Sequence, residues 1–451
     1  MAQHFKFRVA SVMVNRTATA CLLVIAAMIA ATVSVVPQAP VLAITGANVI
    51  NVVDGRIVPN STVIVRGATI SSVTEGGTAP AGARVVDGQG KFLIPGLWDM
   101  HAHMEIAGES WLQLYVANGV TGIRDMGSDL ELILKMRDGT ASGRILGPRI
   151  FATGPILDDA PGDWPFRMRV KTAEDGRAAV QLLKRRGVDL IKVHDHTPRE
   201  AFFAIADEAR RQNLAVAGHI PLGLTAEQVV DAGQRDIEHL SNLALWRPCS
   251  GGQKYSPEAC RLFFEMLARR GVWSTPTLAA MSELLTIGTP ASTVSADHMA
   301  YASKSLRAMW AGNQSISTPG AAQFLKANAE VGAVVTKDMA DAGVAILAGC
   351  DSMIAGFCVH EELVAMVRGG MTPLAALQTA TLNPPRYFGL QQAAGTIASG
   401  QRADLVILDA NPLTDISNGR RIRAVVLAGM FLGRQELDTL LAQARNAAMQ
   451  R

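Results

Sequence analysis

Pro95-Gly96-Leu97-Trp98-Asp99-Met100-His101-Ala102-His103 closes an apolar stretch that opens at Phe92. Residues 92–98 read as a short buried strand. The two histidines that follow stand at i and i+2, so on an extended chain they point to the same side. Neutral imidazoles placed in this way suit a divalent metal such as zinc. His-x-His also arises by chance, so the weight falls on what the rest of the chain adds.

Working outward, short apolar runs alternate with longer amphipathic stretches from about residue 91 to 390. Candidate strands are 92–98, 120–124, 149–152, 190–193, 215–218, 236–238, 272–275 and 344–349. Helical signals between them include 172–186 and 198–213, each with its charges on one face. This is the pattern of repeated βα units. Eight of them predict a closed (β/α)8, TIM-like barrel of the α/β class over residues 91–390. The third unit is the least regular, because 154–169 is rich in Pro, Gly and Asp.

Both flanks differ from this middle. Residues 44–90 alternate β-branched runs with turns, and Asp54-Gly55 between two of them is a hairpin signal. A similar all-β stretch recurs in residues 391–435, so the two segments are expected to pair into one small β-sandwich domain, followed by a C-terminal helix over 436–451.

In a barrel of this kind the site is built from polar residues at the C-terminal ends of the strands. The fourth strand, Leu190-Ile191-Lys192-Val193-His194, carries a lysine that is costly to bury uncompensated. Lys192 either reaches solvent, pairs with a carboxylate, or carries a carbamate. The fifth and sixth strands end in His219 and His239. One histidine on an apolar strand is usually a hydrogen-bonded core residue, but two on successive strand ends shift the balance toward ligands. The eighth run ends Gly349-Cys350-Asp351, an aspartate that alone would read as a cap or turn.

With these residues in place, the chain resembles the amidohydrolase superfamily, in the subgroup around prolidases, Xaa-Arg/Lys-type carboxypeptidases and imidazolonepropionase-like proteins. The residues that carry the resemblance are Pro95 to His103, Glu238-His239, and the tail from Gly395-Thr396-Ile397 to Gly400-Gln401-Arg402-Ala403-Asp404-Leu405-Val406. The resemblance implies two divalent metal ions, with zinc foremost. His101, His103 and Asp351 would hold the more buried ion, His219 and His239 the other, and carboxylated Lys192 would bridge them. It further implies a bridging hydroxide as nucleophile, with Asp351 relaying its proton to the leaving amine. The substrates it implies are dipeptides or N-acyl amino acids. Single-metal deaminase or cyclic-amidohydrolase chemistry stays open beside this reading, as does organophosphate or lactone hydrolysis on the same centre. A metal-binding barrel without catalysis is the non-enzymatic alternative.

Other residues are weaker candidates. His360, His194 and Arg167 are expected to contact substrate, with Trp164 and His196 near them; His194 and His196 would replace a ligand were Lys192 unmodified. His360 equally suits the start of a helix. Arg124-Asp125 reads as structural, and His298 as a surface residue of a helix.

Charge and composition narrow the partners. Hydrophobic residues at 49% and charged residues at 18% fit a globular chain rather than a disordered one. The net charge of +3 comes from Lys6, Arg8 and Arg16, the only charged residues before Asp54. With no basic run interleaved with aromatics, a small-molecule or peptide substrate is expected and nucleic acid is not. The same three cations precede an uncharged, Ala-rich run over 17–36, so residues 1–43 read as an export signal, cleaved after Ala39 or Ala43. An uncleaved membrane anchor is the rival reading, and self-association is left open. In an oxidising compartment Cys249 and Cys260 would close a surface loop, whereas Cys350 and Cys358 are expected to be buried.

Overall fold

Gly96 is where the chain passes from one sheet to another. Before it, Phe92–Pro95 pairs antiparallel with Leu405–Leu408 and parallel with Asn48 and Val49 of Val41–Ile50. After it, Leu97–Ala102 pairs in parallel with Val120–Asp125. A Cβ at position 96 would lie 2.1 Å from Thr121 Oγ1, so only glycine fits this crossing. The single strand expected over 92–98 is therefore two strands in two sheets. The computed structural model describes residues 41–162, 166–240, 249, 254–280, 296–304, 306–308, 331–351 and 354–450.

The barrel is made of two parallel sets. Leu97–Ala102, Val120–Asp125 and Arg149–Ala152 form one. Leu190–Val193, Ala215–Gly218, Gln234–Glu238, Trp273–Thr275 and Ala345–Ile346 form most of the other. Two seams close the circle: Asp189 N donates to Ala152 O at 2.8 Å, and Met100 N donates to Ala348 O at 2.9 Å. The eight-stranded TIM-like barrel expected from the alternation is present. The eighth strand is shorter than the apolar run 344–349: past Ile346 the chain keeps one bond to the seventh strand, Leu347 N to Ser274 O at 2.9 Å, and then meets the first strand at Met100 and His101.

Local chemistry explains the outer helices. Thr172 and Asp175 form a capping box at the start of Ala173–Arg186, whose last turn is basic and whose end is the left-handed Gly187. Arg199–Arg211 follows Pro198, which cannot continue a helix N-terminally. In the irregular third unit, Ile156–Asp158 and Arg167–Arg169 pair in parallel. Strands this short leave no periodicity to read.

The flanking β segments do pair, within one eight-stranded sheet. Asp54-Gly55 turns Val41–Ile50 back onto Ile57–Arg66. Register shifts near Ala47 let the first strand take Arg84–Asp87 and then Phe92–Pro95 along its other edge. Leu42, Ile44, Val63, Leu93, Leu405 and Ile407 fill one apolar cluster, which binds the N- and C-terminal segments together. The final helix, Arg434–Gln450, buries Leu437, Leu440, Ala444 and Ala448 at helical spacing and packs on Ser110–Ala117.

Two disulfides are formed, Cys249–Cys260 and Cys350–Cys358. The second ties the residue before Asp351 to the first turn of Phe357–Arg368. No helix among the described residues is long and apolar enough to cross a membrane. The apolar run 17–36 and most of the expected signal lie outside the described residues, but Val41, Leu42 and Ala43 belong to the first strand and pair with Arg66, Val65 and Ile64.

Candidate metal centre

His101 and His103 leave the end of Leu97–Ala102 on one side, with ring centroids 5.2 Å apart. His239 comes within 4.6 Å of the His101 ring, and His219 within 4.7 Å of the His239 ring. Asp351 lies among them. Its Oδ1 is 3.1 Å from His103 Nε2 and 3.7 Å from His101 Nε2, and its Oδ2 is 3.7 Å from His239 Nε2. The structure thus gathers His101, His103, His219, His239 and Asp351 at the C-terminal mouth of the barrel.

Each imidazole is held by its other nitrogen. His101 Nδ1 donates to Glu238 Oε2 at 2.5 Å, His103 Nδ1 to Gly127 O at 3.0 Å and His219 Nδ1 to Asp195 Oδ1 at 2.9 Å. His239 Nδ1 donates to Thr277 Oγ1 at 2.7 Å, because that hydroxyl donates its own proton to Pro276 O at 2.8 Å. The four Nδ1 atoms are engaged in this way, which leaves Nε2 as the atom each ring can offer a cation, the usual arrangement around a metal. The Nε2 of His103 lies against Asp351 Oδ1.

The backbone is bent to serve this geometry. His239, Thr277 and Asp351 take positive φ values of 64°, 52° and 46° without being glycine, a cost that tends to gather at functional sites. The turn at His239 ends the strand alternation, so the consecutive residues Glu238 and His239 both reach His101. At Gly349, a Cβ would meet the backbone N of His101 at 2.9 Å, and this close approach carries Asp351 to the first strand. Asp351 N then donates to His101 O at 2.7 Å.

Electrostatics prepare the donors. Burial, then the neighbouring Lys192, holds the His101 ring well below its ordinary pKa; burial does the same to His239. Burial opposes the charge of Asp351 too, but His101, His103 and His239 outweigh it and keep the carboxyl well below the usual range. Asp351 is therefore an anion beside the neutral rings of His101 and His239. Burial opposes charge on His103, but its contact with Asp351 raises the pKa of that ring. With its side chain 33% exposed, Asp351 is open to substrate. Lys192 is 1% exposed, and burial lowers its pKa and favours the neutral amine.

Beneath the histidines lies a network that sequence reasoning underrated. Arg124 donates through Nε to Met100 O at 2.6 Å and through Nη2 to Glu238 Oε1 at 2.7 Å, and its Nη1 pairs with Asp236. All three side chains are fully buried. Arg124 is structural, as expected, but what it supports is the carboxylate that orients His101. Asp99 accepts from His101 N and Cys350 N at 3.0 Å each, and burial pushes its carboxyl up to about 7. Neither Glu238 nor Asp195 stood out as an orienting group, although each is adjacent in sequence to a histidine of the mouth.

The weaker candidates divide. His194 lies at the mouth, its ring 3.9 Å from that of His219. Arg167 reaches Asp158 from Nε at 3.5 Å and donates from Nη1 to Ala160 O at 3.0 Å. Trp164 lies outside the described residues. His298 is not a free surface residue, since its ring stacks on Phe357 with centroids 3.9 Å apart. His360 is not gathered with the others: it is buried in Phe357–Arg368 and donates from Nε2 to Asn118 O at 3.0 Å. A cavity of about 430 Å³ lined by Arg210, Asn213, Gly233 and Arg270 opens at the opposite end of the strands and has no part in this centre.

His360 gives a test of burial. Its pKa is lowered to about 4 by burial, from an ordinary 6.5. Below pH 6.5 the unfolded ring takes up a proton that the folded ring refuses, so this contribution to stability is complete above pH 6.5 and is lost as pH falls toward 4. Thermal melts of His360→Gln across that range should show a shallower acid loss than wild type. An identical slope assigns the loss to other groups.

A family model described as "Amidohydrolase family" matches residues 92–432. The chain is 27% identical over 399 residues to ochratoxinase of Aspergillus niger, covering 74% of this chain and 73% of that one. It is 22% identical over 377 residues to imidazolonepropionase of Thermoplasma acidophilum, covering 80% and 86%. Among solved structures, a bottromycin amidohydrolase superposes with a TM-score of 0.73 at 24% identity, covering 90% of each chain, which shows the shared fold.

Proposed function

Because this chain belongs to the amidohydrolase family, whose members here are hydrolases of carbon–nitrogen bonds, we propose that it cleaves an amide-type bond in a dipeptide or N-acyl amino acid. The observation that carries the reading is the set of four imidazoles each held by a partner on Nδ1, with Nε2 of His101, His103 and His239 facing Asp351 and His219 packed against His239. The description of the family that the chain belongs to, amidohydrolases, supports an amide-type bond.

The residues fit divalent metal ions. His101 Nε2 is fully buried with no hydrogen-bond partner among the described residues, and His101, His103 and Asp351 each offer a donor within 4.8 Å of the others. In this reading His101, His103 and Asp351 would hold one ion and His219 and His239 a second, with zinc foremost. Lys192, buried and with its pKa lowered toward the free amine, would take up carbon dioxide with loss of one proton, and the resulting carbamate would add an anionic donor to the site. Such ions, when bound, lower the pKa of water and polarise the scissile carbonyl. Asp351 accepts the proton of the attacking water on a carboxylate oxygen and returns it to the departing amine. Glu238 and Asp195 keep His101 and His219 in the tautomer that leaves Nε2 available. His194, beside His219, lines the substrate pocket, with Arg167 linked to it through Asp158.

One observation favours a single-metal alternative: His101, His103 and Asp351 already form a compact three-donor group, while His219 groups with His194 and Asp195. Metal analysis decides between the two. After reconstitution with zinc and bicarbonate and dialysis to remove weakly held ion, wild type should retain about two tightly held equivalents and Lys192→Ala about one or fewer. One equivalent in both returns the site to mononuclear chemistry. Hydrolysis assays over Xaa-Pro, Xaa-Lys/Arg and N-acyl amino acids test the substrate class, and no turnover of any of them overturns it.

For localisation, export remains our reading of the N-terminus. The pairing of Val41–Ala43 within the first strand supports cleavage after Ala39 over cleavage after Ala43, which would remove paired residues. Mass spectrometry of the secreted chain checks this.

A further inference from the structure

Beside the four-histidine centre, a second group of donors is assembled by strand pairing. Val193 pairs with Leu157, which sets the end of Leu190–Val193 beside the end of Ile156–Asp158. The turn that follows Val193 is stapled in place: Thr197 Oγ1 donates to Leu157 O at 2.9 Å, and Asp159 N donates to His196 O at 3.3 Å. Asp158, His194 and His196 are thereby brought together, with one donor atom from each within 4.8 Å of the other two.

The donors are poised for a ligand that the chain does not supply. Asp158 is fully buried, and its Oδ2 is taken by Ala160 N at 3.3 Å and by the Arg167 guanidinium at 3.5 Å. Its Oδ1 has no hydrogen-bond partner among the described residues. His194 Nδ1, 4.0 Å from Asp158 Oδ2, is buried and also without one. A buried carboxylate oxygen and a buried ring nitrogen left unsatisfied on two side chains in contact are costly unless a ligand supplies their partner. His196 is exposed and opens the group to solvent.

We propose that Asp158, His194 and His196 form a third divalent-cation site, separate from the centre of His101, His103, His219, His239 and Asp351. Two imidazoles with one carboxylate select a borderline transition ion such as Zn²⁺ or Co²⁺ over Mg²⁺ or Ca²⁺, which prefer all-oxygen shells. Three protein ligands leave positions for water. The Arg167 charge on Asp158 Oδ2, the oxygen 4.0 Å from His194 Nδ1, makes the site weaker than the main centre. The His194 ring, packed on His219, forms the wall between the two sites.

Calorimetric titration of the metal-free full-length protein with Zn²⁺, repeated with Co²⁺ and read by absorption, tests this. Wild type should show the tight class of the main centre and one further, weaker equivalent. His196→Ala, at an exposed position, should lose the weaker equivalent and keep the tight class. His101→Asn should weaken the tight class and keep the other. An unchanged weaker class in His196→Ala, or no binding beyond the main centre in wild type, overturns the proposal. A missing tight class with the His196-dependent equivalent retained would count against the two-metal reading and for this site.

Discussion

Asp351→Asn should lower kcat by about 10²–10⁴-fold, the range expected when a positioned proton carrier is removed, while leaving much of the bound metal in place. Asparagine keeps the volume of the side chain and one oxygen for His101 and His103, but it has no anionic oxygen to take a proton. The three surrounding imidazoles stabilise that anion strongly in the native protein, so its loss changes charge as well as chemistry. The backbone N–H of residue 351 still donates to His101 O, which keeps the left-handed turn in place. Steady-state kinetics and metal content measured on one preparation give the answer. Near-normal turnover would remove Asp351 from proton transfer and leave it as a ligand alone.

Arg124→Met should cost about 3–5 kcal/mol of stability, the usual penalty for removing one partner of a fully buried ion pair. Its guanidinium stands between Asp236 and Glu238, both without solvent contact. Burial, with Glu238 next to it, already pushes the Asp236 carboxyl up to about 7 even with Arg124 opposing that shift. Without the guanidinium, one of the two carboxyls must take a proton, and Glu238 no longer presents a firmly held oxygen to His101 Nδ1. Urea unfolding of the metal-free protein measures the loss. Pairing the substitution with Asp236→Asn should recover part of it, because one uncompensated charge is then gone. Stability equal to wild type in Arg124→Met would mean that the network is not what holds the barrel's interior.

The contrast between these two residues shows where sequence reading stops. Asp351 was visible because it ends an apolar run in register with other strand ends. Arg124 also ends a strand, but nothing local says which carboxylates it will meet across the barrel. Its partners are more than 100 residues away in sequence, at Asp236 and Glu238.

By itself the sequence determined the eight-unit alternation, the two β flanks and the histidines and aspartate of the barrel mouth. These are encoded in local periodicity and in which residue stands at each strand end. Only the tertiary structure decided that Gly96 divides the first apolar run between two sheets, that Cys350 bonds Cys358, and that His360 is spent on Asn118 O inside the wall. It likewise supplied Glu238, Asp195, Gly127 and Thr277 as the groups that fix the four imidazoles. The physical reason is one of range. A strand's alternation is set by its own residues, whereas the partner of a buried polar atom is set by whichever element the closed barrel brings against it.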